Sequence, residues 1–137
     1  MKKAIDFLKT HWDVALATVG QDKKPKVRAF QIMRVDDYTL YFATSKEKEV
    51  YTQLQSNKNM EILAMDGTIS VRASGVAEFN VSNKDAESIY YENTILQGLY
   101  KDFRDVIFFS MEIDDIEYYD MAMNPPLTEG WKEGRPY

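Results

Sequence analysis

The sequence predicts a small, mainly β (α+β) domain: six or seven antiparallel strands curled toward a barrel, with two or three helices inserted. Three observations carry this. Apolar and polar residues alternate over long runs such as TISVRASGVAEFN, the period of a strand with one face buried. Successive runs are joined by short polar turns, QDKKP and DDY, which favours an antiparallel meander. Gly75 stands inside the longest alternating run, where a glycine marks a bulge or a barrel bend.

The elements follow in order. Ala4, Ile5, Phe7 and Leu8 recur at helical spacing, predicting a first helix over Lys2–Thr10. DVALATVG reads as a strand stopped by Gly20. KVRAFQIMRV reads as one longer strand, with Val27, Ala29, Gln31, Met33 and Val35 on the presumed core face and Arg28, Phe30, Ile32 and Arg34 opposite. TLYFAT is the third strand. The period then changes: Val50, Tyr51 and Leu54 share a helical face, with Glu47, Glu49, Gln53 and Gln55 outward. SNKN ends that helix, MEILAM is a strand, and DG is a tight-turn signal before the run containing Gly75. Ser82, three residues before Asp85, starts a helix in the manner of a capping box. A second helical piece is expected over residues 95–103. VIFFSMEI and IEYYDM are the last strands, divided near Asp114 and Asp115. From about residue 123 the Pro-rich tail is expected to be an extended surface segment of the single 1–137 domain.

Composition excludes several chemistries. The chain has 137 residues, a formal charge of −5, no cysteine and one histidine, His11. Thiolate catalysis, disulfides, iron–sulfur clusters and Cys-ligated zinc are ruled out, and a multi-histidine metal site cannot be built within one chain. The acidic balance argues against a broad nucleic-acid footprint, leaving room for a local basic pocket. The opening MKKAIDFLKT carries too short an apolar run for a signal peptide or membrane span, so no membrane association and a cytoplasmic location are expected. If the protein is an enzyme, its chemistry comes from a bound cofactor.

Each candidate residue has a functional and an ordinary reading. Thr44, Ser45, Lys46 and Lys48 stand where a strand hands over to a helix, a place that suits a phosphate. Equally, Thr44 with Glu47 makes an ordinary capping box. Arg28 has the fork that grips a phosphate, or is a solvated strand residue, and Arg72 shares that ambiguity. Trp12, Tyr41, Phe42 and the aromatics of EYYDM form a stacking surface or simply core and interface. His11 at a helix end reads as structural, and the acids of DDIEYYD as a solvated bend.

Together, Ala17-Thr18, Pro25, Val27-Arg28, Tyr41-Phe42-Ala43-Thr44, Lys46/Lys48 and Asn57 form an ordered set. That set resembles the pyridoxamine 5′-phosphate oxidase-like family of FMN-binding split barrels, in particular its short bacterial members. The likeness covers roughly residues 12–80, with EYYDM and the Pro-Pro segment also similar. It implies a Greek-key split barrel forming a homodimer, with FMN in a groove between subunits and a small-molecule substrate. Carried over, Arg28 contacts the FMN phosphate. The backbone of Ala29, Phe30 and Gln31 lies along the isoalloxazine, and Ala43 and Thr44 continue that contact. Ser45 with Lys46 or Lys48 completes the phosphate cradle. No catalytic residue is implied, and no metal ligand. Where the biosynthetic oxidase has a phosphate-binding Arg-Lys pair, ungapped counting places Glu49 and Val50. Its substrate-reading Arg-x-His has no counterpart, because the tail has no histidine and Arg135 lacks that context. The expectation is therefore an FMN-dependent oxidoreductase acting on an unidentified small substrate. The alternative is a carrier or stress-related module holding flavin, haem or deazaflavin without turnover. In either case Trp131 of the tail is placed to cover the ring or to pack elsewhere.

Overall fold

The computed structural model describes residues 2–123 and 125–132 in full and the backbone of residues 135–136. The element order is α1 (Lys2–Thr10), β1 (Asp13–Val19), β2 (Pro25–Gln31), β3 (Arg34–Asp36), β4 (Thr39–Thr44), α2 (Glu49–Ser56), β5 (Asn59–Asp66), β6 (Ile69–Glu78), α3 (Asn83–Glu92), α4 (Thr94–Leu99), a 3-10 turn (Phe103–Asp105), β7 (Ile107–Asp120), β8 (Leu127–Lys132) and β9 (Arg135–Pro136). All strand pairings are antiparallel, in the order β2-β1-β5-β6-β7-β4-β3, with β8 on β7 and β9 on β8. This is a split barrel.

Closure depends on one shared stretch. β2 pairs with β1 along its whole length, whereas β3, two residues further on, pairs with β4. The hand-over falls at Ile32, whose N–H donates to Trp12 O, and Met33, whose N–H donates to Tyr41 O, both at 2.8 Å. The expected single strand over KVRAFQIMRV is therefore two; the faces of its first half are the reverse of those predicted, whereas Val35 in β3 packs on the core as expected. Ile32 is buried and Phe30 packs on the core, whereas Val27 is 68% exposed. Pattern alone misassigned the faces because both carry apolar residues.

The interior is filled by Leu16, Phe42, Ile62, Val71, Phe109, Met111 and Ile116 from the barrel strands, with Leu8 of α1 and Leu54 of α2. A second cluster holds α3 and α4 against the outside of β4 and β7 through Ile89, Tyr90, Leu96 and Phe108. The turns at QDKKP and DDY carry left-handed residues, Lys23 (φ 65°) and Asp37 (φ 51°), and the DG turn places Gly67 at φ 59°. Ser82 caps α3 by accepting from the Asp85 N–H at 3.1 Å, as expected.

Other expectations change. The last two strands are one strand of 14 residues, β7. Its bend is a bulge: Ser74 pairs with Asp115 and Gly75 with Ile113, leaving Asp114 over. The predicted helix at 95–103 is α4, ending at Leu99, followed by the separate 3-10 turn. Part of the supposed surface tail is strand β8, whose Trp131 pairs with Ile116, packs on the core and stacks on Tyr38 at 6.0 Å. No helix among the described residues is long and apolar enough to cross a membrane.

Candidate functional site

The predicted site residues lie on β2 and β4, the strands on either side of the split, and on the turn that follows β4. If the β3–β4 register continued backward, Gln31 would face Thr44 and Ile32 would face Ala43. It does not continue, because β2 has gone to β1. The backbone edges of Ala29, Phe30 and Gln31 on one side, and of Ala43 and Thr44 on the other, are the two lips of the opening. Neither edge has a strand partner across it among the described residues. Unpaired strand edges present N–H and C=O groups that a ligand can engage. Beneath them Phe30 and Phe42 (ring centroids 6.0 Å apart) and Phe109 seal the interior. Phe30 is therefore a core ring.

Arg28 lies at the end of the opening nearest α2. Its face is the inward one, opposite to the expectation, and the guanidinium is half-buried. It donates to Leu16 O at 3.2 Å, to Thr18 Oγ1 at 2.8 Å and to Gln53 Oε1. Thr18 in turn donates to Gln53 at 2.6 Å, and both residues are buried. The Thr18–Gln53–Arg28 network ties α2 to the barrel. Gln53, expected on the outer face of its helix, turns inward because its amide oxygen is the acceptor for two donors. All of Arg28's partners are neutral. Arg34 pairs with Glu92 and Asp85, Arg72 with Glu61 and Glu117, and Arg104 with Asp102. Arg28 alone among the described arginines has no carboxylate within ion-pair distance. Burial lowers its pKa from the ordinary guanidinium value, while the charge of Glu49 works the other way.

The strand-to-helix junction differs from the predicted capping box. Thr44 is buried and stays in β4, paired with Ile107. Residues 45–48 form a turn closed by the Lys48 N–H donating to Ser45 O at 3.2 Å. The N-cap of α2 is Lys48, which makes no side-chain cap bond. Ser45 is half-buried, and Lys46 and Lys48 are exposed. A cleft of about 440 Å³ opens beside this turn, lined by Gly20, Gln21, Asp22, Lys26, Glu47, Glu49, Thr52 and Gln53. Sequence reasoning missed Thr18 and Gln53. A polar residue alternating inward on a strand was the available signal for Thr18.

The remaining candidates are structural. Arg72 is ion-paired across β5 and β7. His11 stacks on Phe7 with centroids 3.8 Å apart, contacts Phe7 O through Nδ1 and pairs with Asp66 through Nε2, each at 2.8 Å. The acids near the bend belong to β7 and are not a free turn. Trp131 pairs nine residues along β7 from Ile107, the partner of Thr44, which is about 30 Å of strand. It does not cover the opening of its own chain. The side chain of Arg135 lies outside the described residues. Among the described residues no group of three or more His, Cys, Asp or Glu is arranged to hold a metal.

The fold is thus an antiparallel split barrel in which two strand edges beside the split lack a strand partner and one arginine, Arg28, lacks a carboxylate partner among the described residues. The model of the pyridoxamine 5′-phosphate oxidase family matches residues 1–120, and the chain belongs to that family. Among curated proteins nothing matches. Solved structures share the fold. A protein related to general stress protein 26 of B. subtilis, from Clostridium acetobutylicum, has a TM-score of 0.75 at 15% identity, over 93% of this chain and 91% of that one. PhzG from Burkholderia lata 383, in complex with tetrahydrophenazine-1-carboxylic acid, has 0.75 at 11% identity, over 96% and 83%. A heme binding protein from Mycobacterium smegmatis has 0.69 at 15% identity, over 85% and 52%.

Proposed function

We propose that the chain is an FMN-binding flavoprotein, an oxidoreductase acting on a small substrate and working as a homodimer with the cofactor at the subunit interface. The observation that carries this is Arg28, a half-buried cation with only neutral partners beside two unpaired strand edges. Buried charge is normally compensated, and a phosphate monoester supplies both the charge and paired acceptors. On this reading Arg28 holds the phosphate with the hydroxyls of Thr44 and Ser45 and the ammonium of Lys46 or Lys48. The edges of Ala29, Phe30, Gln31 and Ala43 lie along the ring, where the N–H groups of Ala29 and Gln31, which point away from β1, polarise its acceptor atoms. When bound, FMN supplies two-electron transfer; the chain supplies placement, electrostatics and exclusion of water from below.

The outward face of β2-β1-β5-β6 suits a second copy. Ala29, Ala15 and Leu63 form one register row, and Val27 and Ala17 sit in the next. Val27 and Met65 are 68% and 67% exposed. An outward sheet face is ordinarily polar; across β2 and β1 this one is small and apolar, and the Glu61–Arg72 ion pair follows it on β5 and β6. A histidine-ligated haem fits less well, because both ring nitrogens of His11, the one histidine, are engaged by α1 and Asp66.

The test is the absorbance spectrum of the purified protein, with FMN added if it is colourless. Bound-flavin bands are expected, and they should be lost in an Arg28→Ala/Thr44→Ala variant that remains folded. A flat spectrum with no FMN uptake sinks the proposal. Anaerobic reduction with NADH or NADPH, followed by reoxidation, separates an enzyme from a carrier.

A further inference from the structure

The cleft beside the Ser45–Lys48 turn, which shares Gln53 with Arg28, carries the wrong charge for a tight phosphate site. Its one ammonium, Lys26, is already paired with Asp22 at 3.2 Å. Glu47 and Glu49 line the same cleft, and neither has a cation within ion-pair distance among the described residues. Glu49 opens α2 one turn before Gln53, on the same side of the helix, and the Gln53 amide oxygen contacts the guanidinium. The charge of Glu49 is felt at Arg28, where it favours the charged guanidinium. A ligand phosphate brought to Arg28 would meet the same carboxylate with the opposite result, since like charges repel over this range.

We infer that Glu49, assisted by Glu47, is a specificity-determining residue that holds down the affinity for the phosphate end of the ligand and so narrows the preference for FMN over riboflavin. This rests on the flavin reading above. The placement is favourable for such a role. Both carboxylates are exposed and neither supports the core, so they tune the site without being needed for folding. The attraction from Arg28 and the opposition from Glu49 act on the same phosphate, while the ring binds to backbone edges that neither group touches.

The experiment is titration of flavin fluorescence with the full chain, comparing FMN and riboflavin for the wild type, Glu49→Gln and Glu47→Gln, with circular dichroism to check folding. Glu49→Gln is expected to tighten FMN roughly three- to tenfold and leave riboflavin unchanged. Glu47→Gln should shift FMN in the same direction by less, and it keeps the test open if the first variant does not fold. A purely structural role for Glu49 would move both flavins together. Equal shifts for both flavins, or an unchanged FMN-to-riboflavin ratio, overturn the inference while leaving the flavin reading standing. A wild type that binds neither flavin overturns both.

Discussion

Gly75 shows how one residue fixes a curve. A Cβ built there would lie 2.3 Å from the carbonyl oxygen of Glu112 and 2.7 Å from Met111 Cγ. The side chain of Met111 can give way, but the backbone of β7 at the bulge cannot do so without losing its register. Gly75→Ala is expected to cost roughly 1–3 kcal/mol, read as a lowered urea midpoint with an unchanged slope. His11 gives a prediction in pH. Its pKa is raised above 6.5, first by the hydrogen bond to Asp66 and then by that to the Phe7 carbonyl. Both acceptors lack protons to give, so the two contacts are hydrogen bonds at the same time only in the imidazolium, and the neutral ring can make just one of them. The stabilisation is complete below pH 6.5 and is lost as pH rises through the elevated folded value. The melting-temperature gap between wild type and His11→Gln should therefore shrink as the pH is raised. A constant gap would show that the stack on Phe7 does the holding.

At the scale of elements, α2 starts without a side-chain cap. Lys48 has extended backbone angles (φ −80°, ψ 141°) suited to a capping residue, but lysine offers no acceptor for the free N–H groups. Lys48→Ser should stabilise the fold by about 1 kcal/mol in chemical denaturation. If Lys48 reaches the phosphate, the same variant should bind FMN more weakly, so stability and affinity would move in opposite directions. The missed cap also shows where legibility ends. Periodicity located Val50 and Leu54, because burial on one helical face follows from spacing. It could not say that Thr44 stays in the sheet, because that depends on Ile107, 63 positions away. The same holds for Arg28. Its residue type and the strand around it were readable, but its inward direction and its bond to Gln53 come from tertiary contacts. Gly75 and Ser82 were read correctly because turn, bulge and cap chemistry is local.

For the whole molecule, the antiparallel barrel was legible because alternation and short turns leave few topologies. The tail was misread because a strand added at an edge needs no strong pattern of its own. Quaternary structure gives the last prediction. If the outward face of β2-β1-β5-β6 meets a second copy, Val27→Glu/Met65→Glu should be monomeric by light scattering while keeping the native circular dichroism spectrum. It should also lose FMN affinity if the cofactor sits between subunits. A dimer that survives the double substitution would place the contact elsewhere.

The stretch that serves β1 with its first half and β4 with its second has a bearing on how this chain can be altered. Ile32 and Met33 act as a fixed switch of parity, so inserting or deleting a single residue there would invert one half relative to the other. Phe30 would be turned out into water, or Val35 would be pulled away from the packing it now shares with the barrel. Point changes are tolerable at many surface positions, but the reading frame of this dipeptide is not editable, and lineages that vary in length would have to do so in the turns on either side.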